Sequence, residues 1–155
     1  MLSTLILACL PLQDARFENP DPGRHDLVWT TPSADASGSM PLGNGEVAVN
    51  AWVEPSGDLC FYLARTDAWS ENGRLLKVGK VRVAFDPPFV PDLTLEDGFE
   101  QRLSLKSGKM FVRMRREGVE ASMQLFVDAE SPIVIVRVDS DPYRTATLTI
   151  EPWRT

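Results

Sequence analysis

The feature that most constrains this chain is a period of two. From Asp26 onward, apolar and polar residues alternate in short runs separated by turn residues, which puts successive side chains on opposite faces of a strand. Val47, Val49, Ala51 and Val53 share one face of the first clear strand, and Glu46, Asn50 and Trp52 share the other. The turn residues of Glu54–Asp58 then lead into Leu59–Ala64, which predicts a hairpin. A connection over Thr66–Gly79, with a short turn near Leu75 and Leu76, precedes the alternating Lys80–Phe85. Asp86–Asp92 carries three prolines and so cannot be a central strand. Beyond it, FEQRLSL, MFVRMRR, VEASMQLFV, PIVIVRV and TATLTIEPW recur roughly every ten residues between turn signals, the pattern of an antiparallel meander. No amphipathic helix is legible. The prediction is an all-β chain of about nine strands in two packed antiparallel sheets, with Met, Val and Leu inward and Arg, Glu, Ser and Gln outward.

Composition narrows the function classes. The length of 155 residues suits one domain, and 43% hydrophobic with 25% charged residues is an ordinary globular balance. Sixteen basic against 22 acidic residues give a formal charge of -6, with Lys and Arg scattered apart from Arg113–Arg116. Phosphate binding needs a basic footprint, so a nucleic-acid partner is not expected. One histidine and two distant cysteines cannot supply a zinc set, so no metal or other cofactor is expected. Cys60, inside LCFYL, reads as a small buried hydrophobe.

The apolar run Leu2–Leu12 is too short to span a bilayer but suits the core of a secretory signal, and no other segment could cross a membrane. Residues 1–15 are therefore expected to be a signal peptide and 16–25 a linker, with a sandwich domain over 26–155. Against this, no Lys or Arg precedes the run, and a misassigned start or a buried first strand are the alternatives. Leu7-Ala8-Cys9 loosely matches a bacterial lipoprotein site, so the expected location is extracytoplasmic, with a lipid anchor as one form of it.

Two loops carry most of the remaining information. The sole histidine, His25, adjoins the proline-rich linker and reads as a solvated loop residue, which argues against a Ser/His/Asp triad. In MPLGNGEVAVNAW, the PLGNG loop lacks the Lys and following helix of a phosphate-binding loop. Its glycines, Gly43 and Gly45, instead suit positive φ and a tight turn, with Asn44 the side chain placed to meet a sugar. In TDAWSENG, Asp67 and Glu71 are two carboxylates of the kind that cleave glycosidic bonds, although Asp67 equally suits capping a turn. Trp69 either stacks on a sugar or plugs the sandwich end. Asn72, Gly73 and Arg74 read as a turn followed by a cation able to bond a carboxylate or hydroxyl.

The stretch from His25 to Pro88, with PLGNG and TDAWSENG in order, resembles the N-terminal domain of bacterial glycoside hydrolase-like proteins of the DUF5703 type. More distantly it is similar to the N-terminal β domain of family 95 glycoside hydrolases, the α-L-fucosidases. Beyond Phe99 the resemblance rests on strand pattern alone. It implies part of a galactose-mutarotase-like β super-sandwich, followed in such relatives by an (α/α)6 barrel that holds the catalytic groups. The family's catalytic motifs do not occur in this chain, so no catalytic residue is carried over. What the resemblance implies is a non-catalytic domain that shapes the sugar pocket of a helical barrel, with Asn44, Asp67, Trp69, Glu71, Asn72 and Arg74 as carbohydrate or interface candidates. The FYLARTDAWSENG segment departs from the fucosidase pattern, so fucose specificity is not implied. Because EPWRT follows a strand directly, the architecture is expected to continue beyond residue 155 as a truncated or split product. The other class of function is a free-standing carbohydrate-binding or surface-interaction sandwich, with Trp52, Trp69 or Tyr62 as the stacking platform; a purely structural sandwich is the third.

Overall fold

A computed structural model describes residues 21–151. Ten strands occur among them: β1 (Leu27–Trp29), β2 (Met40–Gly43), β3 (Val47–Val53), β4 (Leu59–Trp69), β5 (Leu75–Asp86), β6 (Phe99–Ser104), β7 (Lys109–Arg116), β8 (Val119–Val127), β9 (Val134–Ser140) and β10 (Thr145–Glu151). They form two five-stranded antiparallel sheets, one in the order β1-β6-β7-β8-β9 and the other β10-β5-β4-β3-β2. The expected all-β antiparallel sandwich is therefore present. Each sheet is a four-stranded meander extended by a strand from the other half of the sequence: β1 joins the later meander and β10 the earlier. The three-residue β1 is exposed throughout and shows no alternation, whereas β2 alternates buried and exposed positions over its four residues. The expected signal segment and residues 16–20 of the expected linker lie outside the described residues; Pro22–His25 forms a 3-10 turn capped by Asp21, with His25 exposed.

Alternation builds the core. Val49, Ala51 and Val53 from β3 meet Met110, Val112 and Met114 from β7 and Ala121, Met123 and Leu125 from β8 in one continuous cluster, and Val47 on the same face is also buried. Fully burying each large side chain contributes about 1.5–3 kcal/mol, so this cluster is the main source of stability. Unbranched methionines adapt to the gap between twisted sheets.

One inward position breaks the expected outward placement of Gln. In β6, Phe99, Gln101 and Leu103 all point inward, and Gln101 is 2% exposed. Its Oε1 accepts from the Val53 amide at 3.1 Å and its Nε2 donates to the Gly38 carbonyl at 3.3 Å. A buried amide is tolerated where its groups are bonded, and here one bond reaches the opposite sheet and the other the 3-10 turn Ala36–Gly38.

The outer face of β3–β5 is also covered. Trp52 points away from the main core yet is 2% exposed, with Tyr62 edge-to-face at 5.1 Å and the Lys80 ammonium 5.7 Å from its ring centre. Beside it, Arg82 bonds Glu54 at 2.8 Å, Asp58 at 3.0 Å and Glu151 at 3.3 Å, and Lys80 reaches Glu54 and Glu151. Glu151 thereby ties β10 to β5. The Arg82 guanidinium holds the Glu54 carboxyl below its ordinary 4.5, and burial, reinforced by Glu54, pushes the Cys60 thiol up to about 12.

Turn chemistry completes the frame. Glu117 and Gly118, both at positive φ, make the tight β7–β8 turn. Gly57, at φ +87, lies so close to the Phe89 segment that an added Cβ would overlap the Phe89 carbonyl oxygen. Gly73, at φ +69, faces open space.

Two predictions follow from this frame. In urea unfolding, Gly57→Ala should cost more than about 2 kcal/mol, whereas Gly73→Ala should cost about 1–2 kcal/mol because only its backbone conformation is opposed. Equal losses would contradict the packing of Gly57 on Phe89. The depressed folded pKa of Glu54 means that its ionised form stabilises the fold above pH 4.5 and that this contribution is lost as pH falls below that value. The stability gap between the natural chain and Glu54→Gln should therefore narrow as pH is lowered from 5 to 3, and a pH-independent gap would count against the ion network.

Candidate functional site

The two sequence motifs meet at one end of the sandwich. Asn44, between β2 and β3, uses its whole side-chain amide there. Oδ1 accepts from the Glu46 and Val47 amides, each at 2.9 Å, and Nδ2 donates to the carbonyls of Asp128 at 2.8 Å and Ser131 at 3.0 Å. An Asn side chain has two donors and two acceptor sites, so its capacity is filled within the chain. Asn44 is thus a clamp between the β2–β3 loop of one sheet and the β8–β9 loop of the other.

The glycines around it divide the work differently from the sequence expectation. Gly45 has φ +92, as expected, but Gly43 is extended at the end of β2. A Cβ on Gly43 would approach the Val47 carbonyl oxygen at 3.0 Å, so this position needs closeness to the neighbouring strand rather than a left-handed backbone.

TDAWSENG begins immediately beside this clamp. Val47 pairs with Arg65 across β3 and β4, the Thr66 amide donates to the Glu46 carbonyl at 3.0 Å, and the Arg65 guanidinium bridges Glu46 and Asp67 at 3.0 Å each. The expected Thr66–Gly79 connection is itself mostly strand: β4 runs to Trp69, β5 begins at Leu75, and only Ser70–Arg74 turns. The short turn expected at Leu75 and Leu76 is strand instead. Register slips between Leu63 and Ala64 and again before Trp69, which twist and re-aim the arm. Both slips fall where alternation in the sequence is weakest.

Trp69 stands on this arm with 58% of its surface exposed, its indole Nε1 donating to the Thr66 carbonyl at 2.6 Å. That bond and the strand fix the ring's orientation while leaving it open to solvent, so it does not plug the sandwich. Glu71, Asn72 and Arg74 are exposed at the tip, with no side-chain hydrogen bond or ion pair among the described residues. Trp52, by contrast, is buried and cannot serve as a stacking platform. Tyr62 is half-buried, with the Lys77 ammonium 4.3 Å from its ring centre.

Beside the arm the two sheets part into an apolar groove of about 470 Å³. Phe61 and Leu63 of β4, Val78 and Val81 of β5, and Leu148 and Ile150 of β10 line it, facing Pro132 of the β8–β9 loop and Val134 of β9. Leu148 and Ile150 are 61% and 65% exposed. Sequence alternation identified these as strand residues, but it could not show that β10 is an edge strand among the described residues and leaves them uncovered.

The chemical reach of the arrangement is narrow. The Glu54 carboxylate is held ionised by Arg82, and the Cys60 thiol is held protonated, so neither is poised as a general acid or a nucleophile at neutral pH. Among the described residues no group of three or more His, Cys, Asp or Glu could hold a metal ion, and no helix is long and apolar enough to cross a membrane. The ion network of Glu54, Asp58, Arg82 and Glu151 is not legible in the sequence because it joins the β3–β4 turn to β5 and to the end of β10. The available signal was local: Arg82 at an outward position of β5, and two carboxylates within one short turn.

A comparison with curated proteins finds no match. The sequence profile of the N-terminal DUF5703 domain, described as a domain of unknown function, matches residues 28–155 and so spans nearly all the strands described above. The chain belongs to the DUF5703 family, matching its N-terminal domain.

Proposed function

We propose that this chain is the non-catalytic N-terminal β domain of an exported, carbohydrate-active protein, and that it docks a helical catalytic domain and helps to form the rim of its sugar pocket. The observation that carries the proposal is the open apolar groove beside the β4–β5 arm, at the end of the sandwich that bears both motifs. An exposed apolar groove bordered by polar residues is characteristic of an interaction surface. On the arm, Asp67, Glu71, Asn72 and Arg74 supply polar groups beside an oriented indole, the combination that saccharides require: hydrogen bonds to hydroxyls and a flat apolar surface for the ring. The resemblance to glycoside hydrolase-like proteins supports the same reading, including part of a larger super-sandwich. The apolar N-terminal run supports export.

The coding sequence after Thr155 is expected to specify a helical domain whose product associates with this chain. Leu148→Glu combined with Ile150→Glu should weaken that association at least about tenfold and leave the melting temperature of the chain within a few degrees, because both side chains are largely exposed. The absence of such a domain, or an association indifferent to both charges, would sink the proposal.

Trp69 favours a second reading, a free-standing carbohydrate-binding sandwich, since a fixed and exposed ring needs no partner domain to stack on a sugar. Calorimetric titration of the isolated chain with a glycan panel separates the two. Saturable binding lost in Trp69→Ala at unchanged melting temperature supports the free-standing module, and flat heats with every glycan count against it. In either case Asn44→Ala should cost about 1–3 kcal/mol in urea unfolding, because it leaves partly buried backbone groups without partners.

A further inference from the structure

A second cleft, of about 440 Å³, lies at the end of the sandwich opposite the motif loops, where β5 ends, β7 turns into β8 and β10 begins. Its apolar wall is the Pro87–Val90 segment and Val119, and its polar groups are Arg116, Glu117 and Arg144. The volume is that of a small-molecule site.

Arg144 is the unusual member. Its Nη1 donates to the carbonyls of Pro87 at 2.6 Å and Pro88 at 3.3 Å, and its guanidinium carbon lies 4.9 Å from the ring centre of the buried Phe89. The guanidinium is thus held in place by neutral groups alone. Arg65, Arg82, Arg102, Arg113, Arg115 and Arg116 each have a carboxylate within ion-pair distance. Among the described residues Arg24, Arg74, Arg137 and Arg144 have none, and of these four only Arg144 is held by side-chain hydrogen bonds. Its Nε is buried without a hydrogen-bond partner. In a chain of formal charge -6, a fixed, half-buried cation with no internal carboxylate is a preformed receptor for an external one.

The neighbouring residues narrow the ligand class. Arg116 is exposed and bonded only at 3.5 Å to Glu117, so it can turn toward a bound anion. Glu117 has φ 52, a backbone conformation that Asn or Gly adopts with less strain, so the turn alone does not call for a glutamate. Its carboxylate opposes a second negative charge in the cleft and accepts hydrogen bonds from hydroxyls. Val90, Val119 and the prolines offer flat apolar contacts to the C–H faces of a ring.

We infer that this cleft binds a hydroxylated monocarboxylate of the sugar-acid class, with its carboxylate on Arg144 and Arg116, its hydroxyls toward Glu117 and its ring against Val90 and Val119. The site does not depend on the docking role proposed above, since it uses the other end of the sandwich and none of the same residues.

The test is a titration of the full chain with galacturonate, galactose and inorganic phosphate, following the arginine Nε–H signals by NMR and the heats by calorimetry. Galacturonate is expected to bind saturably and to shift the Arg144 signal, with galactose and phosphate at least tenfold weaker. Arg144→Lys, which keeps the charge but loses the fork, should weaken galacturonate at least tenfold. Arg116→Gln, at an exposed position, should weaken it about threefold or more at unchanged melting temperature, which keeps the test decisive if Arg144→Lys fails to fold. The inference is overturned by an unmoved Arg144 signal, by galactose binding as well as galacturonate, by phosphate binding equally well, or by a folded Arg116→Gln chain with undiminished affinity.

Discussion

The four hydrogen bonds of the Asn44 side chain are the interaction on which the architecture turns. A sandwich is held mainly by apolar burial, which is strong but non-directional and permits the sheets to slide. Directional bonds between the sheets set their alignment. Asn44 supplies such bonds at one end, joining the Gly45 turn to the carbonyls of Asp128 and Ser131. Gln101 supplies them toward the other, joining β6 to Val53 and to Gly38. With both amides in place, the Val face of β3 meets the Met faces of β7 and β8 in a single register, and side chains fill the space between them.

The same alignment explains why the sandwich is closed on one side and open on the other. The edge strands β1 and β2 are three and four residues long, and β2 contains Pro41, features that discourage further pairing. β9 carries Arg137 and Asp139. β10 has seven residues and no charge before Glu151, and its apolar side chains overlie the groove beside the arm. Three edges therefore carry the usual protection and one does not. An edge left long and apolar next to an open groove is consistent with a surface built to be covered, which is the physical content of the docking role proposed for it.

Period-two alternation made the strands legible because each clear strand has one face in a common core. It failed where burial did not follow that simple rule. Gln101 was expected outward because amides are usually solvated, yet one hydrogen bond to the opposite sheet and one to the 3-10 turn before β2 offset the cost of burial. Trp52 alternated to the outer face as read, but the sequence could not show that Tyr62 and Lys80 would cover it. The Thr66–Gly79 segment looked like a loop because polar residues dominate it; a strand pair that projects beyond the core has no apolar face to display. PLGNG and TDAWSENG were legible as a linked pair, but the linkage itself, through Glu46 and Arg65, depends on a strand pairing that neither motif encodes alone.

The two ends of the molecule differ in how they use charge. On the outer face of β3–β5, every cation of the Arg82 and Lys80 network meets a carboxylate, so the network is internally neutralised and acts to hold β10 and the Glu54–Asp58 turn against β5. At the Pro87–Val90 cleft, the Arg144 guanidinium is held instead by carbonyls and an aromatic ring, which orient it without cancelling its charge. Carbonyl oxygens satisfy individual N–H groups, but only an anion compensates a formal charge. Fixing a side chain in advance also reduces the entropy lost when a ligand binds. A structural arginine gains from an internal carboxylate, as Arg82 does. An arginine held by hydrogen bonds without one retains its attraction for an anion from solution, and that combination separates Arg144 from the ion-paired Arg82 and from the exposed Arg74, which has neither.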